Sequence, residues 1–477
     1  MRSASIVIGY RLLWIALAAI IVRIIGLADD PPMWLSWSSG IFTDEGFYTL
    51  DARHLALFGT LSPGNFHDRL LSPILSLIQE AVFRSCGANI LTARGISIVF
   101  SLLTLFVFWL GLRRCVGRPA ADLGLLFLAF AAPYLLYNRM ALQETPTAFW
   151  LVSAFAAWAY GESAVGRKRA MWFALAGISL GVAIVFKSLA GIAAPAILIA
   201  SIWRSQPSEW RVGLWSLAGF GLALGIESIV WTIPHGGELR RMNAYFVTHQ
   251  IMPHSPVSVW LNIRRALWDG ERGLLPYVCA FLPSVIVLAA VAARRVRSRV
   301  SLLMWAWLGG GLLFCLLSNY APSRYYVLFL PALCALAATG AQSIGRLPRI
   351  ACVCVFLAVS GAWIVKQETE RSVTICDMPS DIVRMLGTSS DIRIVGDFAP
   401  EICLNTKYGA APVQPGLSND DHPVERLNAT HIAVTRSPKW RGWWIAHYPD
   451  LVTSKRFVGT VELGGDGRYV VDIYRVH

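Results

Sequence analysis

The chain has 477 residues, 55% of them hydrophobic and only 15% charged, with a mean hydropathy of +0.53. A soluble protein carries roughly a quarter charged residues, so this composition excludes an ordinary soluble domain and points to repeated bilayer crossings. The net charge of +13 does not imply nucleic acid: much of it lies in short loops between apolar runs, and no RNA- or DNA-reading motif is present.

The first apolar run, about 6–28, contains Arg11 and Arg23 and lacks a small-residue cleavage site after it, so it reads as a retained span and not a removed signal peptide. Ten further runs follow at about 91–112, 120–137, 146–160, 170–186, 189–203, 212–233, 274–293, 301–318, 328–344 and 350–365. Every even-numbered run exits into a basic loop: Arg113, Arg114 and Arg118; Arg167, Lys168 and Arg169; Arg204 and Arg211; Arg294, Arg295, Arg297 and Arg299; Arg346 and Arg349. That alternation places these loops and the N-terminus in the cytoplasm, and the odd-numbered exits and the tail outside.

The outer loops hold nearly all the polar residues that orientation does not explain. In loop 29–90, GFYTLDARHLALFG spaces Phe47, Leu50, Leu55 and Phe58 as one helical face and ends at Gly59, predicting an amphipathic helix lying at the interface. A second such segment runs from about Ser72 to Arg84. Loop 234–273 is basic and aromatic (Arg240, Arg241, Tyr245, Trp260, Arg264, Arg265, Trp268), a composition that also suits plain anchoring to headgroups. From about Thr369 the pattern predicts a small α/β domain: a helix over Pro379–Leu386, strands in DIRIVGD and HIAVTR, a helix in WRGWWIAHYP, and a hairpin of KRFVGTVEL with YVVDIYRV around Gly464-Gly465-Asp466-Gly467. The nine cysteines follow no metal spacing; Cys376 and Cys403 are candidates to pair in an oxidising compartment.

Acids and cations recur at the outer ends of the spans. Asp44 and Glu45 follow the first; His67, Asp68 and Arg69 precede the second amphipathic segment; Glu144 occupies the turn before the fourth. Lys187 ends the fifth, and Arg324, Tyr325 and Tyr326 open the tenth. Each alone reads as a solvated loop charge. Converging in one bundle, acids to engage a hydroxyl or metal and cations to engage phosphate equip a transfer with a phosphate leaving group. The same acids suit Mg²⁺, Mn²⁺ or Ca²⁺, with His67 admitting Zn²⁺; without an ion their crowding keeps one acid protonated. Two other classes fit the spans: a lipid-linked sugar flippase or transporter, and a non-catalytic membrane protein whose outer domain binds ligand. Mostly clean span centres, with Glu227 toward the outer end of the seventh run the main exception, weigh against the first, and a tail lacking a phosphate loop or metal cluster against the second.

The stretches FTDEGFYTLDARHLALFGTLSPGNFHDRLLSP, YNRMALQETPTAFWLVSAF, VAIVFKSLAGIAAP and SRYYVLFLPALCALAATG, in this order and sidedness, resemble the C-type superfamily of integral-membrane glycosyltransferases. The branch they resemble contains the protein O-mannosyltransferases and the lipid A aminoarabinose transferase. The resemblance implies a helical membrane domain over 1–368 and an extracytoplasmic α/β domain over 369–477. It further implies inverting transfer of a sugar from a polyprenyl-phosphate donor to a lipid, glycan or protein hydroxyl at the outer face of the cytoplasmic membrane. It assigns Asp44 as general base, Glu45 and Glu144 as its acidic companions, and Arg69, Lys187, Arg324, Tyr325 and Tyr326 to the donor phosphate. His67 and Asp68 fall near the acceptor or a metal. Two departures stand out: Glu144 replaces the usual aspartate, and Arg69-Leu70-Leu71-Ser72-Pro73 stands where the family has Lys-Pro-Pro.

Overall fold

The computed structural model describes residues 2–203, 210–248, 255–269, 273–294, 298–464 and 469–477. Arg204, Arg295, Arg297 and the Gly465-Asp466-Gly467 turn therefore lie outside the described residues. Helices stand at all eleven predicted places, among them Arg2–Ile24, Ile90–Val116, Glu144–Ser163, Gly166–Phe186, Trp210–Glu227, Arg299–Leu317 and Arg346–Thr369. Among the described residues five are by themselves long and apolar enough to cross a membrane, or six counting a bent pair, so the expected eleven spans are not all long continuous helices.

The shortfall has local causes. A helix of 12 residues reaches only about 18 Å, well under the hydrocarbon thickness. The run 328–344 is such a case: helix Leu330–Ala341 is extended by the 3₁₀ turn Ser323–Leu328. The run 120–137 breaks at Ala131, with Pro133 opening a second short helix, Ala132–Tyr137. The run 274–293 breaks at Leu282, where Pro283 starts a new helix and the chain bends by 105°. Between the helices the packing is close; a Cβ on Gly340 would lie 1.9 Å from the Leu288 carbonyl oxygen.

Loop 29–90 forms both predicted helices. Leu50–Phe58 stops at Gly59, whose φ of 72° suits glycine, and Pro73–Cys86 opens on a proline that has no amide to leave unbonded. The first does not lie bare at the interface. Its Arg53 is fully buried, with Nη2 donating to the carbonyls of Thr406 (2.8 Å) and Tyr408 (2.7 Å) and Nε to that of Leu404 (3.3 Å). Its polar face serves to seat the tail.

The tail folds as a five-stranded sheet in the order β2-β1-β3-β5-β4, with β1 Arg393–Gly396, β2 Gly409–Ala411, β3 His431–Thr435, β4 Phe457–Leu463 and β5 Tyr469–Arg475. β1 pairs in parallel with β2 and β3, whereas β5 is antiparallel to β3 and β4. The short β2 was not predicted, being three residues of Gly and Ala. The first tail helix is longer than expected, Thr374–Leu386 with Pro379 inside it, because the Asp30 carboxylate accepts the Thr374 and Ile375 amides (3.0 Å each) and caps its N-terminus. Cys376 and Cys403 are both free and form no pair.

Candidate active site

Four helix ends carry the site. Asp44 opens the short helix Asp44–Phe47 directly after the 3₁₀ turn Ser39–Phe42. Glu144 opens Glu144–Ser163, where an acid complements the positive end of the helix dipole. Lys187 closes Gly166–Phe186, where a cation suits the negative end. Arg324 sits in the 3₁₀ turn leading into Leu330–Ala341.

These side chains meet in one row of alternating charge. Lys187 Nζ donates to Glu144 Oε1 at 2.8 Å; Arg324 Nε lies 3.2 Å from that same oxygen; Arg324 Nη2 lies 2.8 Å from Asp44 Oδ2. Glu144 and Arg324 form the buried interior of the row. The Asp44, Lys187 and Arg324 side chains keep 15%, 11% and 6% exposure against 1% for Glu144, so Asp44 and Lys187 are the most open members of the row. Aromatic rings frame the cations: Lys187 lies over Tyr325 (4.9 Å) and Tyr48 (5.5 Å), and Arg324 over Tyr325 (5.4 Å) and Tyr320 (5.8 Å). Gly40 leaves room for this pair, since a Cβ would lie 2.5 Å from Arg324 Nη1 and 3.0 Å from Asp44 Oδ2 and would push the two side chains aside. Among the described residues, Arg324 Nη1 and Glu144 Oε2 are buried with no hydrogen-bond partner. Burial, more than the charge of Glu144, pushes the Asp44 carboxyl above the usual carboxylate range despite Arg324 beside it.

An apolar cavity of about 900 Å³ follows helix Arg299–Leu317; its lining does not include Asp44, Glu144, Lys187 or Arg324. Ile192, a few residues past Lys187, and Phe314, whose ring lies 6.1 Å from Tyr325, line its near end; Trp203 and Arg299 line the far end. Arg299 also pairs with Glu162 at 2.6 Å, so the basic loops gather at the end of the bundle away from Asp44.

The other predicted residues sit elsewhere. Glu45 faces away from Asp44: both its oxygens accept from Arg94 (2.9 and 2.7 Å), and Oε1 also accepts the Ala141 amide (2.7 Å). Arg69 is held by Glu80 at 2.7 Å. His67 pairs with Asp51 at 3.1 Å, and the buried Asp68 accepts the Asp51 amide; burial and then the Asp51 charge raise Asp68 well above the usual range. Tyr326 points into the core against Tyr277 (5.3 Å). The expected convergence of Asp44, Glu45, Asp68 and Glu144 on one point does not occur: Asp44 and Glu144 share Arg324, Glu45 is held by Arg94, and Asp68 accepts the Asp51 amide. Among the described residues, no group of three or more His, Cys, Asp or Glu side chains could hold a metal ion. Tyr48, Tyr320, Asp51 and Arg94 were not anticipated. Asp51 sits within a quoted motif, but its burial under Ser62 and His67 leaves no trace in local spacing.

With this geometry in place, comparison with known proteins is informative. Residues 71–231 match the family model described as dolichyl-phosphate-mannose-protein mannosyltransferase. No curated protein matches the sequence. The structure is similar to that of ArnT from Cupriavidus metallidurans, both in the apo state and bound to undecaprenyl phosphate, with a TM-score of 0.65, 15% identity and 98% of each chain covered. It is also similar to the Archaeoglobus fulgidus oligosaccharyltransferase tethered with an acceptor peptide, with a TM-score of 0.57 and 10% identity over 96% of this chain and 73% of that one. The chain thus has the C-type (GT-C) glycosyltransferase fold of the branch that its four motifs resemble.

Proposed function

We propose that this protein is an inverting glycosyltransferase that moves a sugar from a polyprenyl-phosphate donor to a hydroxyl of a lipid, glycan or protein. The observation that carries the reading is the row of two acids and two ring-framed cations at the helix ends, with an apolar cavity beyond it whose lining residue Phe314 has its ring 6.1 Å from that of Tyr325. Two ring-framed cations suit a phosphate, and an apolar cavity on the far side of Tyr325 and Phe314 suits a lipid tail. The known binding of undecaprenyl phosphate by ArnT, which shares the fold, supports it.

In the proposed reaction the acceptor oxygen attacks the anomeric carbon while the bond from that carbon to the phosphate oxygen breaks, its electron pair leaving on the phosphate. Asp44, the reachable acid, takes the hydroxyl proton. Lys187 and Arg324 stabilise the charge that grows on the leaving polyprenyl phosphate, and Glu144 holds the two cations apart and oriented. A carboxylate is a weak base for a hydroxyl, so the proton moves late, as the sugar becomes oxocarbenium-like, and positioning supplies much of the barrier reduction. The row lies at the end of the bundle opposite the Arg299–Glu162 pair, which favours transfer at that face over carriage across the bundle.

The site and the tail, 369–477, would face outside the cytoplasmic membrane, with the N-terminus inside. A periplasm-active reporter fused near residue 370 should be active and one near residue 165 inactive; the reverse pattern refutes the orientation. Mass spectrometry of surface glycolipids and glycans with and without the protein tests the activity, an unchanged profile counting against transfer.

A further inference from the structure

The helix Asp44–Phe47 is a single turn, too short to hold itself. Three consecutive residues are instead gripped by three separate parts of the chain. Asp44 meets Arg324, Glu45 is clamped by Arg94, and the Gly46 amide donates to Glu401 Oε2 at 2.5 Å. The last contact reaches from the tail to the catalytic loop. Gly46 N–H is one of the orphan donors that any helix N-terminus leaves, and such donors commonly find a nearby acid. Here the acid comes from 355 positions away in the sequence.

The approach is backbone to backbone. A Cβ on Gly46 would lie 2.4 Å from the Glu401 nitrogen and 2.6 Å from its Cα, so only glycine lets the two segments touch. Glu401 is 2% exposed, and among the described residues its Oε1 has no hydrogen-bond partner. It rides on the turn Ala399–Cys403, immediately after β1, so the sheet of the tail sets its position.

We propose that Glu401 is a positioning residue: by holding the Gly46 amide it fixes the turn that aims Asp44 at Arg324, and so makes the site competent only when the tail is docked. This rests on the reading of Asp44 as the base. Burial, and then the charge of Glu45, raises the Glu401 carboxyl well above the usual range. A glutamine would accept the amide bond equally well.

The test uses the full-length protein in lipid nanodiscs. Hydrogen exchange read by mass spectrometry follows peptides covering residues 42–50, and surface-glycan product is measured in cells expressing each variant at equal level. Glu401→Ala should exchange about tenfold faster over 42–50 and yield about tenfold less product, the size expected for one lost buried hydrogen bond. Peptides of the sheet should stay protected, and Glu401→Gln should behave as wild type. Unchanged exchange over 42–50 in Glu401→Ala, or Glu401→Gln as impaired as alanine, overturns the proposal. Should the alanine variant not accumulate, Gly46→Ala, which forces the segments apart, must speed exchange over 42–50, and its failure to do so overturns the proposal equally. Asp44→Asn separates the two ideas: full product from that variant defeats the transferase reading, whereas the exchange data judge Glu401 independently.

Discussion

Replacing Asp44 with Asn removes one charge from a row of four while preserving size and hydrogen-bonding capacity. In the wild-type row Lys187 and Arg324 balance Glu144 and Asp44; the variant leaves one excess positive charge. Breaking a fully buried pair costs about 3–5 kcal/mol, but Arg324 keeps Glu144 at 3.2 Å and Asp44 is 15% exposed, so the stability loss should be nearer about 1–2 kcal/mol. Loss of a general base slows reaction about 100-fold or more, roughly 2.7 kcal/mol in barrier. The two effects separate experimentally. Purified protein in nanodiscs, given a polyprenyl-phosphate sugar and acceptor, should show transfer collapsing while the melting temperature drops only a few degrees. Donor affinity should hold or improve, because the site has become more cationic. Wild-type turnover in the Asn variant would refute the assignment and leave Asp44 as a helix cap. So would a loss of transfer matched by an equal loss of folded protein.

Because burial lifts the Asp44 carboxyl and the base acts deprotonated, activity should be lost as pH falls through that raised value, with the acid limb of the rate above pH ~4; a limb below it contradicts the environment described. Arg324→Ala and Lys187→Ala should each weaken donor binding by about 1.5–3 kcal/mol in a titration with polyprenyl phosphate. Arg69→Ala is the comparison there, and a loss confined to it would move the phosphate to the Asp51–Asp68 side of the loop. Transfer should survive excess EDTA; loss restored by one divalent ion would show that a metal completes the site.

What was legible in the sequence was what local pattern can carry. Apolar runs located the helices, and turn residues located their ends, as at Gly59. The four charges that meet were readable because each stands at a helix terminus, where a charge in a hydrophobic chain needs a reason. Partners were not readable. Glu45 next to Asp44 looks like its equal, yet it belongs to Arg94, 49 positions on, in what reads as the start of a span. Periodicity reports which way a side chain faces along its own element, not what arrives from another. The bend at Leu282 was signalled by Pro283 and overlooked because the residues around it are uniformly apolar.

Arg53 sets an order on how the molecule is made. The carbonyls it binds belong to residues 404, 406 and 408, more than 350 positions later in the chain. At a synthesis rate of about 5–20 residues per second, the helix carrying Arg53 waits on the order of 20–70 s for them to exist. Throughout that interval a guanidinium destined for full burial faces water or lipid headgroups, and the turn carrying Asp44 lacks the surface that later covers it. A loop made early is thus finished late, and a chain stalled before its sheet would have its helices laid down and the turn carrying Asp44 still open.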